Sequence, residues 1–192
     1  MERGVVMVEA SKLEKVTIED YMALPEGTMV ELINGVMYDM SPAPLKIHQD
    51  ISGSVYFKIR SFIENKKGRC KIYAAPFDVK LNDETIVQPD ISVICDPFKL
   101  TRLGCTGAPD MIVEITSSDY SHDYVRKLSL YYDSGVKEYW IIDPNIQKVT
   151  VYLLKDDYAV RQYDFKDDVP VALYGGELVI NVSDLLDEDD NI

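Results

Sequence analysis

Hydrophobic positions along the 192-residue chain follow two periods, one helical and one of extended strands. The stretch from Thr17 to Asp20 has the pattern of a helix N-terminus, with Thr17 as N-cap. Apolar residues recur at helical spacing from His48 to about Asn65, and again from Ser121 to Ser134, where Gly135 ends the helix. The pattern therefore predicts three helices separated by strands.

Strand patterns fill the intervals between these helices. Asn34-Gly35 between two apolar runs predicts a hairpin, the strongest short signal of this kind. Further strands are predicted at Lys71–Ala74, Phe77–Leu81, Ile91–Ile94, Met111–Thr116, Glu138–Asp143, Lys148–Leu154 and Tyr158–Tyr163. The order predicts an α/β or α+β fold with a helix between central strands.

The length suits one domain with short additions at its ends. We expect an N-terminal extension over residues 1–16, a folded domain over 17–183 and an acidic tail over 184–192. No run of eighteen apolar residues is present, so we expect no membrane helix and a cytoplasmic location.

The charge is uneven along the chain, whose formal net charge is −13. Eleven acids and two bases lie between Asp156 and Ile192, so the body of the domain is only mildly acidic. No basic patch with interleaved aromatic residues stands out. The balance argues against a nucleic-acid coat protein and mildly favours a module that works through contacts.

The three cysteines are Cys70, Cys95 and Cys105. Their number is odd and no pair has the C-x-x-C spacing, so we expect neither a disulfide framework nor a zinc site. Buried or idle thiols are the favoured interpretation.

Three acids occupy apolar strand sequences, where a carboxylate is costly: Glu31, Asp90 and Glu114. A single such acid more often faces solvent on an edge strand. For Asp90 and Glu114 together we favour a shared metal, because adjacent strands are ~4.8 Å apart, and the two interpretations of Glu31 are balanced. Oxygen ligands select Mg²⁺ or Mn²⁺ over zinc.

Lys127 lies on the helix that follows the Glu114 strand, four residues after Asp123. One interpretation is a surface pair with Asp123. The other is a cation directed at the carboxylates, where it would orient a water or offset charge on a phosphate in the transition state.

A set of motifs from about Tyr21 to Tyr152 resembles a known bacterial family. The motifs are Glu31-Leu-Ile-Asn-Gly35, Pro89-Asp90, Val113-Glu114-Ile-Thr-Ser117, Asp123 with Lys127, and Gly135-Val-Lys-Glu-Tyr-Trp-Ile-Ile-Asp-Pro144. They are similar to those of the family of "putative restriction endonucleases" called Uma-two, within the PD-(D/E)xK nuclease superfamily. The resemblance implies a restriction-endonuclease-like α/β fold, a mixed central sheet flanked by helices, with an N-terminal hairpin.

The chain departs from the superfamily pattern Glu-x-Lys, because Thr116 stands where that pattern has lysine. In the family the lysine is taken to have moved to the following helix, which maps it onto Lys127. The resemblance also places a histidine near the site, at His48, although a polar residue at a helix start explains His48 equally well.

The resulting hypothesis is a Mg²⁺- or Mn²⁺-dependent endonuclease that hydrolyses phosphodiester bonds of nucleic acid, with DNA as the expected substrate. Asp90 and Glu114 would hold the metal, the Ile115 carbonyl would add a ligand, and Glu31 would tune the metal or hold a second one. Two alternatives stay open. One is a non-catalytic module that acts through protein or nucleic-acid contacts as a homodimer, and the other is a metal-dependent phosphohydrolase of small phosphates.

Overall fold

The computed structural model describes residues 15–25, 27–40, 44–116, 121–155 and 158–186, with the side chains of 121–125 left out. Its helices are α1 (Ile18–Met22), α2 (Lys46–Asn65) and α3 (Ser121–Ser134). Its strands are β1 (Val30–Ile33), β2 (Val36–Asp39), β3 (Lys71–Ala74), β4 (Asp78–Asn82), β5 (Thr85–Val87), β6 (Ile91–Ile94), β7 (Gly104–Thr106), β8 (Met111–Ile115), β9 (Glu138–Asp143), β10 (Lys148–Leu153), β11 (Ala159–Asp164), β12 (Val169–Pro170) and β13 (Val179–Ile180).

A six-stranded mixed sheet, in the order β11-β10-β9-β8-β6-β3, forms the centre of the domain. Strands β8 and β9 are parallel and α3 connects them, whereas the other neighbours in this sheet are antiparallel. A crossover helix is the usual way to join adjacent parallel strands. It places α3 beside the strand that carries Glu114.

The predicted N-terminal hairpin, β1 and β2, belongs to a second sheet of five strands, in the order β2-β1-β5-β4-β7. Asn34 and Gly35 both have positive φ, 52° and 79°, as a tight hairpin turn requires. Thr17 caps α1 through a reciprocal capping box with Asp20.

Successive side chains along the central strands point to opposite faces of the sheet, so the sheet has a hydrophobic core on each side. Val93, Val113 and Trp140 face a core that α2 covers with Ile51 and Val55. Ile94, Ile112 and Ile141 face the opposite side, where Tyr131 of α3 and residues of the five-stranded sheet complete the packing. Tyr139 and Trp140, which the apolar pattern places in the core, are both fully buried.

The predicted helices and most predicted strands agree with the structure to within two residues. Four short strands, β5, β7, β12 and β13, are additional. They have two or three residues each, which is too short for a period to be recognised in the sequence.

The prediction of unpaired cysteines is wrong for Cys70 and Cys95, which form a disulfide. They are 25 residues apart in sequence, but the antiparallel register of β3 and β6 pairs Lys71 with Ile94 and so brings the adjoining cysteines face to face. Cys105 is a free, buried thiol, as expected.

Among the described residues, none of the helices has the length and apolar character needed to cross a membrane.

Candidate active site

Asp90 and Glu114 lie on adjacent strands at one end of the central sheet. The antiparallel register pairs Ile91 with Val113, and its continuation by one residue sets Asp90 opposite Glu114. Directly opposite residues project to the same face of a sheet. The Ile115 backbone N–H donates to Asp90 Oδ2 at 2.7 Å, so this carboxylate is held against the end of β8.

Lys127 reaches this end of the sheet from α3 and is buried, with 7% of its surface exposed. Its Nζ lies 3.1 Å from Glu114 Oε1 and 3.2 Å from Glu31 Oε1. The ammonium therefore bridges one carboxylate from each sheet. The burial excludes the surface position that the alternative interpretation required, and the Asp123 side chain lies outside the described residues.

Tyr131, one helical turn after Lys127, donates its hydroxyl to Glu114 Oε1 at 2.7 Å. The pKa of Glu114 is raised to about 7, mainly by burial and in part by the charges of Asp90 and Glu31, against the opposing effects of Lys127 and the Tyr131 hydroxyl. Burial also raises the pKa of Tyr131, which keeps the phenol a hydrogen-bond donor. Glu114 thus shares its surroundings with two further carboxylates, a lysine and a phenol.

His48, in the first turn of α2, lies on the other side of Asp90. Its Nε2 is 3.0 Å from Asp90 Oδ2. Burial lowers the pKa of His48, but the hydrogen bond to Asp90 and the charges of Asp90 and Glu114 outweigh it and raise that pKa overall. His48 therefore lies at the start of α2 and within hydrogen-bonding distance of Asp90.

Glu31 is fixed from the five-stranded sheet. The Gln88 backbone N–H donates to Glu31 Oε1 at 3.0 Å, and the Gln88 side chain donates to Asp78 Oδ1 at 2.8 Å. Tyr21 of α1 donates to the same Asp78 oxygen at 3.0 Å. The first helix is thereby connected to the site through two hydrogen-bonded residues.

Several buried polar atoms around the site have no hydrogen-bond partner among the described residues: Thr116 Oγ1, His48 Nδ1 and Gln88 Oε1. Buried polar atoms are generally satisfied by protein, water or a ligand. The same described residues contain no group of three or more histidine, cysteine, aspartate or glutamate side chains arranged to hold a metal. A closed all-protein metal cage, as in structural zinc sites, does not fit this arrangement.

The donor set fits a hard divalent cation that keeps part of its water shell. Asp90 and Glu114 supply carboxylate oxygens on one face. The pKa of Glu114 is raised mainly by burial and in part by the charges of Asp90 and Glu31, and a cation would offset these charges. Mg²⁺ is usually bound by one or two carboxylates together with waters and substrate phosphates. Two carboxylates without a third acidic ligand are therefore sufficient for it.

The structure brings together Glu31, Asp90, Glu114, Lys127 and His48, the side chains singled out in the sequence. Sequence reasoning missed Tyr131, Gln88, Asp78 and Tyr21. For Tyr131 a signal existed, since a residue four positions after Lys127 lies on the same helix face. The other three carried no signal, because their contacts depend on the strand order within the five-stranded sheet and on the packing of α1 against it.

Comparison with known proteins agrees with this architecture. A crystal structure from Anabaena variabilis ATCC 29413, described as a putative nuclease belonging to DUF820, superimposes with a TM-score of 0.73. It is 24% identical in sequence, and the match covers 88% of this chain and 97% of the other. The fold is therefore restriction-endonuclease-like, as the resemblance implied. No curated protein matches the sequence.

The family model Uma2, described as "Putative restriction endonuclease", matches residues 18–183. This range contains all five of the side chains brought together at the end of the central sheet and covers most of the chain. The chain belongs to the Uma2 family of nuclease-fold proteins.

Proposed function

We propose that the chain is a Mg²⁺- or Mn²⁺-dependent endonuclease that hydrolyses phosphodiester bonds of nucleic acid, with DNA as its substrate. The observation that carries the proposal is the buried Lys127 ammonium, bonded to Glu31 and Glu114 beside Asp90. A lysine next to clustered carboxylates at a strand end is the arrangement that the superfamily pattern Glu-x-Lys describes. Here a helix supplies the lysine instead of the strand.

In this proposal Asp90 and Glu114 hold the metal, and the Ile115 carbonyl adds an oxygen. A strand residue's N–H and C=O point to the same side, and the Ile115 N–H points to Asp90. We therefore expect the carbonyl to face the same side. A bound divalent metal would supply a water of lowered pKa and polarise the phosphate.

The chain's own residues would orient the water and offset the charge of the phosphate. The Lys127 ammonium is bonded to Glu114, where it can position a water beside the phosphate and offset charge that develops on the phosphate oxygens. Glu31 holds Lys127 from the opposite side, at 3.2 Å, and limits the positions that the ammonium can adopt. His48 holds Asp90 Oδ2 in place.

The test is cleavage of plasmid DNA, single-stranded DNA and RNA with Mg²⁺ or Mn²⁺, using Asp90→Ala as the inactive control. We expect metal-dependent cleavage of DNA by the natural protein and none by the variant. Cleavage without added metal, or equal activity in Asp90→Ala, would contradict the proposal.

One observation favours a second candidate, a non-catalytic nuclease-fold module. Lys127 already pairs with two carboxylates, so the cluster has a partial counter-charge without any metal. Calorimetric titration with Mn²⁺ separates the candidates, because the nuclease needs to bind the ion and the module does not.

A further inference from the structure

Positive charge is concentrated where α2 ends and β3 begins, in a chain whose net charge is −13. Six basic side chains, all exposed, lie between residues 58 and 71, together with a single acid, Glu64. They are Lys58, Arg60, Lys66, Lys67, Arg69 and Lys71. These bases lie within fourteen consecutive residues, so the concentration of charge is local in the sequence, although no basic patch was predicted there.

Only some of these bases have acidic partners. Arg60 pairs with Glu64 at 2.7 Å, and Lys66 pairs with Glu177 at 2.6 Å. Within the part of the chain that the structure describes, the side chains of Lys67, Arg69 and Lys71 form no salt bridge. We call these three residues the basic edge.

A cavity of about 160 Å³ opens at the basic edge. Arg60, Lys67 and Lys71 line it, with Glu64 as its one acid and Tyr73 at one side. The charge of its lining suits an anion, and neighbouring cations along an edge suit a polyanion rather than a single small ion.

The basic edge is directly connected to the candidate active site. Strand β3 starts at Lys71, lies at the edge of the central sheet, and leads to Ala75, whose N–H donates to the Asp90 carbonyl at 3.0 Å. Four strand residues span about 13 Å. This is the length of about four nucleotide steps at ~3.4 Å each along a duplex.

An aromatic pair lies along the same path. Tyr73 and Phe77, both partly exposed, stack with ring centroids 4.2 Å apart and planes 5° from parallel. Tyr73 and Lys71 are two residues apart on β3, so they project to the same face. Aromatic faces beside cations are typical of surfaces that follow a nucleic-acid strand.

We propose that the basic edge binds the phosphate backbone of the nucleic-acid strand that enters the candidate active site, about four nucleotides from the scissile phosphate. The inference rests on the proposed function for the identity of the ligand. The inference adds the surface on which the substrate lies. It also gives the direction of the substrate, which lies parallel to β3 and extends from the α2–β3 turn towards Asp90.

The test compares two triple variants with the same change in net charge. Lys67→Gln/Arg69→Gln/Lys71→Gln removes the basic edge, whereas Lys155→Gln/Arg161→Gln/Lys166→Gln removes three bases on and around β11, at the opposite edge of the central sheet. Binding of labelled duplex and single-stranded DNA oligonucleotides is measured by anisotropy across a salt series, with EDTA present so that no cleavage occurs.

We expect the basic-edge variant to bind at least about tenfold more weakly at low salt. The slope of its salt dependence should fall by about one unit for each phosphate that the variant no longer neutralises. The β11 variant should bind within about twofold of the natural protein, because the binding surface is intact. Equal weakening in both variants, or no binding by the natural protein, overturns the inference. Binding to vesicles that contain anionic lipid is measured as well. A basic-edge variant that loses vesicle binding but retains DNA binding also overturns the inference.

The outcome is separable from that of the proposed function. Reduced DNA binding in the basic-edge variant supports the surface even when the natural protein cleaves nothing with Mg²⁺. Cleavage by the natural protein combined with unchanged binding and cleavage in the basic-edge variant supports the nuclease and rejects the surface.

Discussion

Two buried glutamates occupy opposite ends of the parallel pair β8 and β9. Glu138 starts β9 opposite Met111, and Glu114 lies near the end of β8 opposite Ile141. Glu138 is 1% exposed and Glu114 is 8% exposed. The two side chains are thus the same chemical group in the same sheet with similar burial, but their surroundings differ.

Glu138 is surrounded by neutral donors. The Trp140 indole donates to Oε1 at 2.7 Å, the Ala172 N–H donates to Oε1 at 3.0 Å, and the Leu173 N–H donates to Oε2 at 2.6 Å. These bonds connect the central sheet to the short helix Ala172–Tyr174. Burial raises the pKa of Glu138, and the three hydrogen bonds oppose the rise. Its surroundings suit a structural anchor.

Glu114 is surrounded by charges instead. It shares Lys127 with Glu31. Burial is the main cause of its raised pKa, and the negative charge of Asp90 adds to the rise. Burial alone therefore does not distinguish a site from an anchor. Crowding of like charges separates the two environments, because it costs stability that neutral donors avoid, and it is the feature on which the proposed function of Glu114 depends.

The largest effects are expected for Lys127→Met, which keeps the apolar stem and removes the charge. The cleavage rate should fall by about a hundredfold or more. Because Lys127 is buried, the variant should also lose about 3 kcal/mol of unfolding free energy, unlike a surface lysine. Metal should still bind. Cleavage assays and urea unfolding at pH 7 measure both quantities.

Lys137→Met is the matched control for that change. Lys137 pairs with the buried Asp110, but its own side chain is 47% exposed and lies at the Glu138 end of the sheet. The control should retain cleavage. Full activity in Lys127→Met would mean that the lysine has no part in the reaction.

The second effect concerns Asp90→Ala, which should abolish Mn²⁺ binding in a calorimetric titration. Two hydrogen bonds to Asp90 are removed, each worth about 1 kcal/mol, but repulsion of Glu114 is relieved as well. The unfolding free energy should therefore change by less than about 1 kcal/mol. Undiminished Mn²⁺ affinity would reject Asp90 as a ligand.

Glu138→Gln tests the anchor through pH. A carboxyl whose pKa is raised in the folded state stabilises the fold fully below its unfolded pKa, and this contribution disappears as pH rises through the folded value. The natural protein should lose stability upwards from about pH 4.5, by at most about 1.4 kcal/mol per pH unit for this group.

The glutamine variant should lack that part of the slope. Glu114 contributes with the same sign in both proteins, so the difference between their unfolding curves isolates Glu138. Cleavage should be unaffected. Parallel pH dependences for the two proteins would show that Glu138 does not titrate in this window.

The sequence predicts the helices and strands of this fold better than it predicts what surrounds a given side chain. The stretch Met111–Thr116 is readable as a strand and Glu114 as an unusual acid, because both properties are local. Glu138 is also an acid in an apolar strand but is not among the predicted site residues. Which of the two is crowded by charge depends on Glu31 and Lys127, which come from different elements.

The pairing of Cys70 with Cys95 and the contact of Tyr21 with Asp78 have the same origin. Each depends on the register between strands or on the packing of one sheet against a neighbouring helix. The hydrophobic period and the spacing of residues along the sequence carry no information on which residues of different elements come into contact. The motifs that resemble the family are informative at the site because they record such long-range relations indirectly.

The smallest expected effect is that of Tyr131→Phe. The change removes one buried hydroxyl that donates to Glu114 and leaves the ring packing intact, so it should cost about 1 kcal/mol of unfolding free energy. Because the hydroxyl lowers the pKa of Glu114, its loss should raise that pKa and move the acidic limb of the cleavage rate to higher pH. Tyr132→Phe, at a half-exposed neighbour, is the control and should shift neither quantity. A pH profile that is the same in Tyr131→Phe as in the natural protein would mean that Tyr131 contributes packing alone. Among the described side chains of α3, Lys127 would then be the one that affects the pKa of Glu114.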